Sequence, residues 1–173
     1  MMRNVRLPIV ASVCLLAGQL AHANIEVTFV ESAPKDQFIL HNTSQCTLKN
    51  LTVHLDLSNS VGHLIFDTTA TGAGVEVFQP FEVKKGNLKL ISASDVKDGD
   101  STLSLSIENI AANDSVSFTI DVDDTLTQSE LGNIRVSGSE ITNALIEITT
   151  EGQQTFSAMF DNKGKALVSL PSC

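Results

Sequence analysis

Hydrophobic and polar residues alternate along four segments of the chain. These segments are Ile25–Phe29, Leu51–Ser58, Leu103–Glu108 and Val116–Asp123. A period of two is typical of a β-strand that turns one face to a core and the other to water. The pattern therefore predicts strands rather than amphipathic helices over most of the chain.

Shorter apolar segments predict further strands, and turn-prone sequences separate them. One such sequence, Asp161–Gly164, is expected to join the last two strands of a terminal three-stranded meander. A single short helix is predicted at Thr125–Gly132. Together the strands predict an all-β, single-domain sandwich of the Ig-like or Greek-key kind. The shorter predicted strands are Phe38–His41, His63–Thr68, Val75–Phe78, Leu88–Ser92, Asn133–Ser137, Ala144–Thr150, Thr155–Phe160 and Ala166–Leu170.

The N-terminus has the pattern of a secretory signal peptide. Arg3 and Arg6 precede the apolar run Leu7–Leu20, and Ala21-His22-Ala23 supplies small residues at a cleavage site. The run is short for a bilayer span, although an N-terminal membrane anchor is the alternative. We therefore expect residues 1–23 to be removed and residues 24–173 to be exported, to the periplasm or the extracellular space, without membrane insertion.

Export changes the interpretation of the cysteines. Cys14 belongs to the predicted signal peptide, which leaves Cys46 and Cys173 in a compartment that permits disulfides. A bond between them would tie the C-terminus to the N-terminal part of the domain and close a very long loop. Pairing with a second molecule is the alternative.

Composition narrows the range of partners. The net charge is −9, which argues against nucleic acid and anionic membranes as partners and is compatible with divalent cations or basic proteins. The chain has no Trp and no Tyr, and its aromatic content is eight Phe. Carbohydrate-binding modules usually stack sugars on Trp or Tyr, so the composition counts against one.

Asp121, Asp123 and Asp124 form the densest acidic cluster. The period of two places Asp121 and Asp123 on one face, opposite the core residue Val122. Clustered carboxylates at a strand end suit calcium, which prefers several oxygen ligands. The alternative is a solvated acidic strand end, and no EF-hand register is present. Carboxylates that the fold could add to the cluster are Asp67, Glu76, Asp95, Asp98, Asp100 and Asp114.

Catalytic motifs are missing from the sequence. There is no nucleophile elbow, phosphate-binding loop or dinucleotide fingerprint. His41, His54 and His63 lack zinc-site spacing and are expected at the surface. The chain is therefore predicted not to be an enzyme.

Four longer stretches resemble the aggregation-factor core proteins of marine bacteria, which are themselves similar to the wreath segment of the sponge aggregation factor. The stretches are Phe29–Phe38, Ala73–Phe81, Phe118–Leu126 and Val136–Ile141. The resemblance covers most of the exported chain. It implies an extracellular protein with roles in assembly and calcium-dependent cell adhesion, and it supplies no ligand residues.

The leading hypothesis is a secreted, non-enzymatic adhesion or matrix-assembly domain, stabilised by calcium, whose partner is a protein, the extracellular matrix or a second copy of itself. Two alternatives stay open. One is a pilus-like or sheet-augmentation structural subunit, which would accept a strand from a neighbour. The other is a carbohydrate-binding module.

Overall fold

The computed structural model describes residues 23–32, 35–74, 78–91, 96–133 and 135–171. Eleven strands run through these residues, and within them no helix is long and apolar enough to cross a membrane. The strands are β1 Ala23–Val30, β2 Asp36–Asn42, β3 Leu48–Asp56, β4 Ile65–Asp67, β5 Glu82–Lys85, β6 Leu88–Leu90, β7 Thr102–Ile110, β8 Ser115–Asp123, β9 Leu145–Thr149, β10 Thr155–Met159 and β11 Lys165–Leu170.

Two antiparallel sheets pack face to face. The first has the order β11-β1-β2-β8-β4, with β5 also paired to β8, and the second has the order β10-β9-β3-β7-β6. Neighbours such as β1 and β11, or β3 and β9, are distant in the chain, so the connections cross repeatedly between the sheets. The predicted all-β sandwich is confirmed.

The core consists of the apolar residues that the alternation selects. Phe38 and Phe118 lie opposite each other on β2 and β8, and their rings stack with centroids 5.1 Å apart. Phe29 packs against Phe38 at 5.2 Å. Each of these rings is at most 5% exposed, and burying a side chain of this size contributes about 1.5–3 kcal/mol. The apolar residues of the period-two pattern therefore face the core in the folded protein, as the sequence predicts.

Two local predictions are wrong. Thr125–Gly132 is not helical, and the described residues of Asn133–Ser137 are not a strand. The amide of Asn133 instead donates to the carbonyls of Asp124 and Leu126, at 3.2 Å each. These side-chain bonds satisfy backbone acceptors that a helix or a ladder would otherwise use, and they hold the segment as a loop.

The predicted terminal meander is also wrong. The strand β10 pairs with β9 in the second sheet, whereas β11 pairs with β1 in the first. The turn Asp161–Gly164 therefore crosses from one sheet to the other. Alternation marks both strands as half-buried, but it does not say which sheet each one joins. The short strand β5 was not predicted.

Several predictions fall outside the described residues. These are residues 1–22 of the signal peptide, most of the predicted strand Val75–Phe78, and Cys173. The Cys46–Cys173 disulfide therefore stays a prediction. Cys46 and Pro171, two residues before Cys173, line the same surface depression, which is compatible with that bond.

Candidate metal centre

Strand register brings three aspartates together at one end of the first sheet. Asp67, the last residue of β4, lies directly opposite Asp121 of β8, and Asp123 follows two residues later on the same face. One carboxylate oxygen from each of the three lies within 4.8 Å of the others. Asp67, Asp121 and Asp123 are called the acidic triad below.

The triad is buried, although its strand face was predicted to be solvated. Asp67, Asp121 and Asp123 are 0%, 3% and 1% exposed. The chain that leaves β4 returns to the edge of β8 at Gln79, whose N–H donates to the Asp67 carbonyl at 3.2 Å. The Gln79 carbonyl in turn accepts the N–H of Asp121 at 3.1 Å. Every residue of β8 from Val116 to Asp123 is buried, so both faces of this part of the strand are shielded from water.

Hydrogen bonding within the triad is incomplete. Both carboxylate oxygens of Asp67, and the Oδ2 atom of Asp121, are buried without a hydrogen-bond donor among the described residues. An ionised carboxylate that is removed from water without donors or a counter-ion is strongly unfavourable. A bound cation would supply the missing charge and the missing contacts.

The same environment shifts the pKa values of Asp67 and Asp121. Burial raises the pKa of Asp67 to about 7, and the neighbouring Asp98 and Asp123 carboxylates act in the same direction. Burial likewise raises the pKa of Asp121 to about 7, assisted by the negative charges of Asp123 and Asp67. Both shifts follow from the poor solvation and mutual repulsion of the charged forms.

A fourth buried carboxylate, Asp36, lies next to the triad on the neighbouring strand β2. Its Oδ1 atom accepts the Ser32 N–H at 3.2 Å, and its Oδ2 atom accepts the Val122 N–H at 3.1 Å. Burial raises the pKa of Asp36 to about 8, although these two hydrogen bonds oppose the shift. Asp36 therefore links the β1–β2 connection to the end of β8. Sequence analysis did not single it out.

Asp98 lies beside Asp67 and contacts the segment that follows β4. Its carboxylate accepts the N–H groups of Thr68 at 3.1 Å, Thr69 at 3.4 Å and Ala73 at 2.6 Å. Burial acts to raise the pKa of Asp98, but the adjacent Asp67 carboxyl and the bonds from these backbone amides lower it below its usual value.

Among the described residues, Asp124 and Asp114 are not members of the triad. Asp124 comes directly after the end of β8. Its Oδ1 atom accepts the Leu126 N–H at 3.0 Å, which shapes the loop after β8. Asp114 pairs with Lys85 at 2.6 Å on the surface. Glu76 and Asp95 lie outside the described residues.

The donor atoms of the triad define its chemistry. They are carboxylate oxygens alone, the ligands that hard cations prefer, and no other group of metal-ligating side chains forms in the described part of the chain. His54 lies apart, with Nδ1 3.0 Å from the Ser104 hydroxyl. The acidic triad could therefore hold a metal ion, and sequence reasoning identified two of its three members.

Asp67 was harder to find from the sequence. It was named as one of several carboxylates that the fold could add to the cluster, with no pattern to favour it over the others. Its selection depends on the pairing of β4 with β8. Comparisons with protein families, with curated proteins and with solved structures found no match to this chain.

Proposed function

We propose that the protein is an exported, non-enzymatic adhesion or matrix-assembly domain that is stabilised by a calcium ion at Asp67, Asp121 and Asp123. One observation carries the metal part of this proposal. The three carboxylates are buried within 4.8 Å of one another, and neither oxygen of Asp67 has a hydrogen-bond donor among the described residues.

Calcium suits this arrangement better than magnesium. Calcium accepts flexible coordination by six to eight oxygens, and carboxylates can bind it through one or both oxygens. Magnesium demands a near-ideal octahedron and usually keeps several waters, which a buried three-carboxylate site accommodates poorly. Three ionised carboxylates also exceed the charge of one divalent cation, so the bound state remains only weakly anionic.

The adhesion part rests on the sequence. The predicted signal peptide indicates export, and the resemblance to aggregation-factor core proteins implies assembly and calcium-dependent cell adhesion. The net charge of −9 makes self-association unfavourable unless cations neutralise part of it. The proposed partner is therefore a protein, the extracellular matrix or a second copy of the chain, contacted in the presence of calcium.

Calorimetric melting with calcium and with a chelator tests the metal site. A ligand that binds only the folded state raises the melting temperature, with about 2.7 kcal/mol of stabilisation at one hundred times the dissociation constant. We expect this rise in the wild type and its loss in Asp121→Asn. Asp56→Asn is the matched control, because Asp56 contacts the Ser58 N–H at an exposed site away from the triad. Identical wild-type melts in calcium and chelator would refute the site.

Bead aggregation tests adhesion separately. Beads coated with the purified protein should cluster in millimolar calcium and disperse on chelation, and Asp121→Asn beads should stay dispersed. Clustering that ignores both calcium and the substitution would contradict a calcium-dependent role. Beads that never cluster with themselves, but bind matrix preparations, would favour a different partner over self-association.

A sheet-augmentation subunit remains the second candidate because of β10. This strand ends the order of the second sheet and carries no charged residue, and Met159 on it is 65% exposed. Strands of this kind can pair with another chain. Concentration-dependent oligomers that Ser157→Lys abolishes would support this candidate. A monomer at all concentrations would count against it.

Few features of the described residues support the carbohydrate-binding alternative. The phenylalanines are all buried or half-buried, so none presents an exposed ring for stacking. A surface depression of about 380 Å³ is lined by residues such as Asn50, Asn87 and Glu108, with no aromatic side chain. Binding on a glycan array would nevertheless revive this alternative.

A further inference from the structure

The turn Asp98-Gly99-Asp100 is attached directly to the strand that carries Asp67. The N–H of Gly99 donates to the Phe66 carbonyl at 2.9 Å, and the N–H of Phe66 donates to the Asp100 carbonyl at 2.8 Å. The turn therefore continues the first sheet on the side of β4 that faces away from β8. This backbone pairing fixes Asp98 next to the acidic triad.

From this position the Asp98 carboxylate accepts hydrogen bonds from several backbone N–H groups in the segment that follows β4. It accepts N–H groups from Thr68 and Thr69 at the start of the segment and from Ala73 near its far side, the last at 2.6 Å. One side chain thus bends Thr68–Gly74 into a loop against the triad. Charge-assisted bonds of this kind are stronger than neutral ones.

Two glycines let the loop approach the carboxylates closely. A Cβ atom on Gly74 would lie 2.2 Å from the Asp67 Cγ, and a Cβ atom on Gly72 would lie 1.7 Å from the Asp98 Oδ2. Any side chain at either position would clash. The backbone therefore lies directly on Asp67, which explains why this carboxylate is fully buried.

We propose that Asp98 is a positioning residue for the metal centre: by holding Thr68–Gly74 closed, it fixes the Asp67 carboxylate in the orientation that binds the cation. This inference rests on the proposed calcium site. Asp67 has no hydrogen-bond donor of its own among the described residues, so packing against the loop is what orients it. A residue that orients a ligand typically changes metal affinity by about 10- to 100-fold when it is removed.

Calcium titration calorimetry on Asp98→Asn tests the proposal. We expect calcium binding at least about tenfold weaker than in the wild type. Asp100→Asn is the matched control, since it removes one charge from the same turn, where the Asp100 carboxylate accepts the Lys97 N–H. Its calcium affinity should stay at the wild-type value. Equal affinities for wild type and Asp98→Asn would overturn the proposal.

Melting experiments separate positioning from a merely structural role. A structural role predicts that Asp98→Asn lowers the melting temperature equally with and without calcium. A positioning role predicts that the calcium-dependent rise itself shrinks. An unchanged rise on a lowered baseline would overturn the proposal.

Gly74→Ala provides an independent test that alters no charge. Its Cβ would push the loop away from Asp67, so we expect weaker calcium binding, as in Asp98→Asn. Wild-type affinity in this variant would show that closure of the loop is irrelevant to the site. A wild type that does not bind calcium would refute the proposed function itself. A wild type that binds calcium, with Asp98→Asn and Gly74→Ala binding it equally well, would refute only the positioning role of Asp98.

Discussion

The carboxyl groups of Asp67 and Asp121 lie directly opposite each other on antiparallel strands, and both are buried. Like charges in this arrangement repel, and burial removes the water that would screen them. The fold therefore maintains a repulsive pair that only protonation or a cation relieves. We therefore expect the stability of the protein to depend on pH and, through the proposed metal site, on calcium.

Stability of the metal-free protein should fall as the pH rises from about 4 to about 7. Asp67 and Asp121 have pKa values near 7 when folded, against 3.8 for an unperturbed group. The folded state consequently binds more protons than the unfolded chain in this window, so the free energy of unfolding decreases with increasing pH. Denaturant unfolding in chelator across this range should show the decrease.

Saturating calcium should remove most of that decrease, because the cation keeps the triad ionised and competes with protons. Asp121→Asn should flatten the profile in chelator as well, since it eliminates one titrating group and the repulsion that it causes. A profile in chelator that is already flat in the wild type would contradict the interpretation.

Asp36→Ala should destabilise the protein by about 2 kcal/mol at pH 6, since two backbone N–H groups lose their acceptor. The loss should be smaller at pH 9, where the wild type must ionise the buried carboxyl, whose pKa is about 8. Asp56→Ala, which removes one exposed hydrogen bond to Ser58, should change stability by less than about 0.5 kcal/mol. Equal effects of the two substitutions in urea unfolding would contradict a structural role for Asp36.

Gly164→Ala should destabilise the protein by about 1–2 kcal/mol. Gly164 has φ = 69°, and a Cβ atom there would lie 3.1 Å from the Phe29 carbonyl oxygen, so strain and crowding act together. Gly152→Ala is the comparison, because its Cβ would meet nothing closer than 4.0 Å. Thermal melts should separate the two variants, and a neutral Gly164→Ala would show that the turn relaxes freely.

The exported protein should contain one intramolecular disulfide between Cys46 and Cys173. Reduction should lower the melting temperature, because a cross-link that closes so long a loop restricts the unfolded chain by about 5 kcal/mol, less any strain. Peptide mapping by mass spectrometry under non-reducing conditions identifies the pair. A covalent dimer on a non-reducing gel would favour the intermolecular alternative.

The strands were largely predictable because alternation is a local property. Ile25, Val27 and Phe29 face the core in the folded protein as their spacing indicates, and the same holds for the apolar residues of β3, β7 and β8. The period of two also placed Asp121 and Asp123 on one face correctly. These features depend only on how side chains project from an extended backbone.

Predictions from the local sequence pattern were wrong where a side chain hydrogen-bonds to the backbone, and where a strand could pair with more than one neighbour. Asn133 holds a loop where apolar spacing suggested regular structure. The strands β10 and β11 read as neighbours, yet they belong to different sheets. Neither outcome is encoded in the alternation itself.

By itself the sequence determined the strand-forming segments, the acidic character of the end of β8, and the shared orientation of Asp121 and Asp123. Only the tertiary structure decided that Asp67 completes the triad, that Asp124 stands apart from it, and that the polar face of β8 is buried. The register between β4 and β8 places Asp67 opposite Asp121, and the loop at Gly74 lies on the Asp67 carboxylate. Strand register and loop placement are set by packing between residues far apart in the chain. Such packing leaves no periodic pattern in the local sequence.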